Sequence, residues 1–401
     1  MGVSYTWSFA QSFLIFVLII FAAQALSSIS KSYIPMPLLM GTFFILGFSL
    51  KLFPDDMILS SNMIAVGTIA FHVLVIHSGT LISIRFLQTH KKATSLCLIS
   101  TIILFAVVCF GLRPLIGRKL ALLAPGSIVG GGASCAIASK WVSETAPEVS
   151  VFPWLIFMLQ GLFSVPLCSF ALKKEADLIL DRLRKGELEE PVREPAPEEQ
   201  SGLVGKIPAF FKTPAYYLGT IMIVSFINQL FVSWLNQQFQ LHINVNMTAL
   251  LLGFLLGHFG FMEKGPLFRS DSYGLLLMGL MGLMANTLAV TIKNGTVFSV
   301  LRLIPALLLC MAVGTAVMVL CGFFIGKKMG LSPYKGIILC VNCITGFPVN
   351  QALLLHCCSV GKDPYEQAVL KSQLAPALTT GTMLISNGLS IFIVSILVNF
   401  I

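Results

Sequence analysis

The stretch PGSIVGGGASCAIAS, Pro125 to Ser139, places Gly126, Gly130, Gly131 and Gly132 within seven residues, between two long apolar runs. Each glycine costs a helix interior about 1 kcal/mol relative to alanine, so the run of three predicts a break. Unpaired backbone at membrane depth is tolerated only where it is enclosed in protein or lines a wet cavity. A re-entrant hairpin over about 120–141 meets that condition. Its two half-helices meet at a tip whose free N–H and C=O groups can face a solute, and glycine lets the solute come close. On that reading a side chain at Gly131 blocks the approach. The other reading of the same glycines is close helix packing, since Gly126 and Gly130 stand four apart.

The chain around this stretch is built for lipid. Of its 401 residues 56% are hydrophobic and only 11% charged, and the mean hydropathy of +0.89 lies far outside the range of a soluble domain. Apolar runs of eighteen or more residues recur from end to end, each able to cross roughly 30 Å of hydrocarbon as a helix. They lack the period-two alternation of a membrane β-barrel, which leaves an all-α polytopic membrane protein. Ten transmembrane helices are predicted, at about 9–29, 34–53, 62–84, 94–114, 151–172, 215–235, 244–262, 273–292, 298–326 and 367–399. The first has no basic flank before it and no small-residue cleavage site after it, and reads as a retained span. The ten cysteines read as small core hydrophobes. Neither a disulfide framework nor a thiolate metal site at Cys340, Cys343, Cys357 and Cys358 is expected. The net charge of +9 comes without a basic patch interleaved with aromatics, which argues against nucleic acid. No nucleophile, base and orienting group stand together, so neither catalysis nor a cofactor is expected.

The middle of the chain is different in kind. Lys173 to Gln200 reads KKEADLILDRLRKGELEEPVREPAPEEQ, an amphipathic helix continuing out of the fifth span and then a Pro/Glu-rich linker. Residues 173–213 divide the chain into halves, 1–172 and 214–401, that match in order. IPMPLLMGTFFILGFSLK, from Ile34, resembles INVNMTALLLGFLLGHFG, from Ile243. Two further spans on, each half carries a broken segment; the second is VNCITGFPVNQALLLHC, inside about 335–358. There Pro348 removes a helix donor and biases Phe347 out of the helical region. With five spans in each half, an odd number, the second copy enters the membrane from the opposite side, the inverted repeat of secondary transporters. With the linker in the cytoplasm and both termini outside, nineteen of the 26 Lys and Arg lie inside and six outside: Lys51, Arg113, Arg118, Lys119, Lys140 and Lys293. Arg302 stays within a span. That asymmetry sets the orientation.

All seventeen acids lie outside the apolar runs, mostly in the linker. Any cation site therefore has to use oxygen dipoles. The hairpin backbone with Ser127, Asn342 and Thr345 is the candidate sodium site, and Ser127, Gly130, Gly131, Gly132, Ser134, Asn342, Thr345, Gly346 and Asn350 are the candidate substrate-binding residues. An anionic group can be held at the N-terminal ends of the half-helices. His77, in FHVLVIHSGT, and Asn286, in LMGLMANTLAV, sit at equivalent depth and extend the candidate pocket wall; a buried histidine satisfied by a neighbouring helix is the alternative for His77.

LLAPGSIVGGGASCAIASKW resembles the glycine-rich re-entrant segment of bacterial sodium/glutamate symporters, the glutamate:sodium symporter family, and YIPMPLLMG resembles the opening of that family's second span. The pattern of spans, opposed hairpins and central linker matches along nearly the whole chain. The resemblance implies sodium-coupled import of glutamate or a related amino acid or organic anion by a homodimer in the cell inner membrane. By position it carries Ser127 and Gly130 to Gly132 onto the first hairpin motif, and Asn342, Cys343, Thr345 and Gly346 onto the second. The chain departs from the family at both tips: Ala133 and Ser134 follow Gly132 where a His-Gly-Thr-like sequence is usual, and Phe347 and Asn350 replace small residues. A proton-coupled carrier of another carboxylate, a channel lined by the same tips and a non-transporting membrane sensor are the competing expectations.

Overall fold

The computed structural model describes residues 6–30, 33–187, 203–240, 243–294, 297–346 and 349–397; Phe347, Pro348 and the Pro/Glu-rich part of the linker lie outside the described residues. Every regular element among them is helical, and eight helices are long and apolar enough to cross a membrane. The chain is an all-α multi-pass membrane protein. The first half contains α1 (Phe9–Ile29), α2 (Met36–Ser49), α3 (Met63–Thr80), α4 (Lys91–Ala106, widening into a π-helix over Val107–Gly111), α5 (Arg118–Val129), α6 (Gly132–Thr145) and α7 (Phe152–Arg184). The second contains α8 (Pro214–Phe239), α9 (Val245–His258), α10 (Tyr273–Asn294), α11 (Ile304–Lys328), α12 (Pro333–Thr345), α13 (Val349–Cys358) and α14 (Pro364–Gly381), which runs through a π-helix over Thr382–Leu389 into α15 (Ser390–Leu397). Local chemistry sets several starts: the Ser8–Gln11 capping box begins α1, and Thr213, Ser332 and Asp363 cap α8, α12 and α14, each just ahead of a proline.

Two of the expected spans make shorter helices than their apolar runs. α2 and α9 have 14 residues each, about 21 Å of helix. Each ends in a turn through a left-handed residue, Lys51 at φ 54° and Gly260 at φ 70°. Two amides then fold back onto one carbonyl, those of Leu52 and Phe53 onto Gly47 and those of Phe261 and Met262 onto Leu256. The apolar residues past the turn lengthen the hydropathy signal but pack back on the helix, as Phe53 does edge-on against Phe44 and Phe48. These caps, and the short helices Met57–Ser60 and Pro266–Arg269 beyond them, fall at matching places in the two similar stretches from Ile34 and Ile243.

The halves interlock. α3 packs against both α9 and α10, α10 also packs against α2, and each hairpin packs against α7 and the α14–α15 helix, so each touches the final helix of the other half. Glycines make the α3 crossings close: a Cβ on Gly253 would collide with the Ile76 carbonyl, and one on Gly67 with that of Gly279. Small residues give helix backbones this approach. Outward faces of α1 and α8 expose Leu14, Leu18, Phe21, Phe226, Leu230 and Phe231, surface that is a liability in water and a match for lipid.

Ion pairs at the helix ends agree with the alternating course of the chain. Lys119–Glu148 and Lys293–Asp55 join groups assigned to one side, Arg184–Glu366 and the pairs of Glu263 groups assigned to the other. Glu263, in the loop after α9, is buried and accepts from Lys212 Nζ (2.8 Å), Arg269 Nε (3.0 Å) and Tyr217 Oη (3.0 Å). Burial pushes its pKa up, but the hydrogen bonds from Lys212 and Tyr217 and the two positive charges outweigh it and hold the carboxyl below its ordinary range. A lowered folded-state pKa contributes stability that is complete above the unfolded value, about 4.3, and is lost as pH falls through the folded value. Glu263→Gln is therefore expected to lower the Tm of the detergent-solubilised protein at neutral pH and to flatten its decline on the acid side. A variant whose Tm tracks the parent at every pH would show that the cluster contributes nothing to folding.

Candidate functional site

The first break lies where the glycines predict it. α5 ends at Val129, Gly130 (φ −92°, ψ 153°) and Gly131 (φ −80°, ψ −169°) are extended, and α6 begins at Gly132. Eight residues of continuous helix cover about 12 Å. Cys135 Sγ nevertheless lies 3.8 Å from the Ser127 carbonyl oxygen, eight residues earlier, so the chain has turned back. The glycines do different things. A Cβ on Gly126 would collide with Val394 of α15, and one on Gly130 with the Gly126 carbonyl and Ser134. At Gly132 it would stand 2.8 Å from Leu280 Cδ2, whereas at Gly131 it would meet nothing within 4 Å. Both readings of the glycines thus hold, packing at Gly126 and a break at Gly130–Gly131. The first amides of α6 have no partner within the helix, and Gly131 offers no side-chain cap.

The second break follows Thr345. Gly346 takes φ 66°, ψ −179° and returns its amide to the Asn342 carbonyl at 3.1 Å; α13 begins at Val349. Asn342 and Asn350, also eight apart, donate their amides to the same two acceptors. These are the Leu378 carbonyl, 3.2 Å from Asn350 Nδ2, and Thr382 Oγ1, 3.1 Å from Asn342 Nδ2 and 2.9 Å from Asn350 Nδ2. Sharing them requires the chain to double back between the two asparagines. Asn342 Oδ1 is buried without a hydrogen-bond partner among the described residues.

The two tips meet on the last helix. Ser386 Oγ stands 2.9 Å from the Val129 carbonyl oxygen at the end of α5 and 3.0 Å from that of Cys343 near the end of α12. A hydroxyl has one proton, so it satisfies one carbonyl fully or both in part. One turn on, Ser390 Oγ donates to the Ser386 carbonyl (2.8 Å) and pairs with Ser134 Oγ at 2.9 Å. The junction is a buried set of uncharged oxygens, the chemistry with which broken transporter helices hold sodium ions. Its part of the last helix is the π-helix Thr382–Leu389, a widened turn often found at functional sites. Among the described residues no three His, Cys, Asp or Glu side chains come together where a metal ion could be held.

Gly130, Gly131, Gly132 and Ser134 are gathered at the first tip, and Asn342, Gly346 and Asn350 at the second. Ser127 and Thr345 lie on the arms, and their hydroxyls donate one turn back within their own helices, to Leu123 (2.8 Å) and Val341 (3.3 Å). Asn286 lines a cavity on the flank of α6. His77 belongs elsewhere: its Nδ1 accepts from the Leu267 amide at 3.3 Å and its ring packs edge-on against Phe268, which holds the short helix Pro266–Arg269 in place. Thr382, Ser386 and Ser390 were not anticipated. Their signal is a stripe of small hydroxyl residues four apart in an otherwise apolar span.

Comparison with protein-family models finds no match, and comparison with curated proteins finds none either.

Proposed function

We propose that this protein is a secondary active transporter that imports glutamate or a related amino acid or organic anion with sodium as the coupling ion. The observation that supports this reading is the convergence of two broken helices, one from each half, on Ser386. Helix ends supply carbonyl oxygens for a cation and free amides for an anion, and breaks in both halves supply both near one place. In the proposed cycle sodium is held by the Val129 and Cys343 carbonyls with Ser386 Oγ and the unpartnered Asn342 Oδ1. Rocking of the hairpins against α3 and α10 then exposes the solute to each side in turn. The protein acts as a homodimer in the cell inner membrane, both termini outside and the linker in the cytoplasm, and carries out no catalysis.

Uptake of labelled L-glutamate into proteoliposomes at fixed membrane potential tests this. Accumulation that requires an inward sodium gradient is expected. Equilibration without accumulation indicates a channel, and accumulation driven by a proton gradient alone replaces sodium with protons.

A further inference from the structure

A groove of about 610 Å³ lies at the end of the bundle assigned to the outside, between α4 with its π-helix, the start of α5 and Leu397 of α15. Its two ends differ in chemistry. Arg113, in the short helix Arg113–Ile116, and Arg118, the first residue of α5, line the outer end. Further into the bilayer along α4 and α5 the wall is apolar, with Ile102, Phe105 and Leu122. Ile102 and Phe110 are largely exposed, so the groove opens on the lipid-facing surface. From Ile102 to Arg113 the helix rises about 16 Å, close to one leaflet of the roughly 30 Å hydrocarbon core. Arg113 and Arg118 are the only arginines among the basic residues assigned to the outside, and the fold sets both on this one groove. The chain turns between them at Gly117 (φ 82°, ψ 163°), and no side chain caps α5 beside Arg118, so the first amides of that helix add partial positive charge. No Asp or Glu lines the groove among the described residues.

We infer that this groove binds an anionic phospholipid of the outer leaflet, Arg113 and Arg118 holding its phosphodiester and the apolar wall of α4 and α5 taking one acyl chain. The charge and the shape point to the same occupant. A guanidinium is a planar fork that matches phosphate oxygens, and two of them beside one phosphate favour a headgroup of net negative charge. An apolar wall one leaflet deep, continuous with the lipid-facing surface, suits a chain attached to that phosphate and offers nothing to a free anion. α5 packs against both the π-helix and α15. A lipid seated here therefore touches the outer arm of the first hairpin and the last helix together, and steadies the frame on which Val129 and Ser386 meet. The inference does not depend on what the protein transports.

The test is lipid binding to the full-length protein, delipidated in detergent and titrated with dioleoylphosphatidylglycerol, dioleoylphosphatidylcholine or glycerophosphate, read as bound lipid in native mass spectra and as a rise in Tm. Phosphatidylglycerol is expected to bind and stabilise the parent well beyond phosphatidylcholine, and glycerophosphate, the anion without chains, to do neither. Arg113→Gln combined with Arg118→Gln should weaken phosphatidylglycerol binding by about tenfold or more, the scale of lost charged hydrogen bonds. Lys327→Gln with Lys328→Gln removes as much charge at the opposite end of the bundle and should leave that binding unchanged. Ala106→Trp keeps both arginines and fills the groove from an exposed position on α4, so a comparable loss is expected with the lipid-free Tm near that of the parent. Parent-like binding in either groove variant, equal binding of the two lipids, or an equal loss in the Lys327 and Lys328 variant overturns the inference. Stabilisation by glycerophosphate alone overturns it too, since the arginines would then serve a free anion.

Discussion

Ser386→Ala is expected to raise the sodium concentration for half-maximal uptake by about tenfold or more, or to abolish sodium-driven accumulation. Among the described residues the buried hydroxyl is the only side-chain group that hydrogen-bonds at both tips, through the Val129 and Cys343 carbonyls. Its removal takes one oxygen from the proposed cation shell and withdraws the one proton that the two buried carbonyls share, a cost of about 1–3 kcal/mol. Some loss of thermal stability is therefore expected whatever the function. The decisive quantity is stabilisation by added sodium, measured as Tm against sodium concentration in parent and variant. A parallel drop in both curves makes Ser386 a strut between the hairpins; loss of the sodium-dependent rise makes it a ligand. Ser386→Thr, which keeps the hydroxyl, should recover part of that rise.

Gly346→Ala and Gly131→Val are expected to fail in opposite ways. At φ 66°, ψ −179° Gly346 occupies a region closed to L side chains. An alanine there costs about 1–3 kcal/mol in backbone strain, or forces the second tip out of place, so a lower Tm and poor yield are expected. Gly131 has ordinary dihedrals and open space where a Cβ would stand. Valine should be accommodated with the Tm nearly unchanged, its side chain standing beside the first tip where a solute or ion must approach the backbone. Uptake should be lost without loss of fold. A Gly131→Val protein that transports like the parent would place the transport path away from this tip, and a Gly346→Ala protein of parental stability would show that the turn relaxes.

Both breaks were legible in the sequence because they have local causes. Three successive glycines weaken any helix, and Pro348, two residues after Gly346, does the same through a missing donor and restricted geometry. The likeness of the stretches from Ile34 and Ile243 was legible too, and α2 and α9 end in the same kind of turn at matching places within them. The lengths of those helices were not, because hydropathy does not distinguish an apolar residue that continues a helix from one, such as Phe53, that folds back over its end. His77 and Asn286 drew attention as polar groups inside apolar runs, and only their neighbours show that one anchors a short helix while the other faces a cavity.

By itself the sequence determined the solvent, the helical class and the two breaks, since transfer free energy and helix propensity act on each segment separately. The tertiary structure alone decided which residues meet. Ser386 lies 257 positions from Val129 and 43 from Cys343, and a serine in an apolar helix ordinarily bonds one turn back and signals nothing. Its role comes from two tips brought to it by the packing of each hairpin against the final helices of both halves, a contact that no local pattern records.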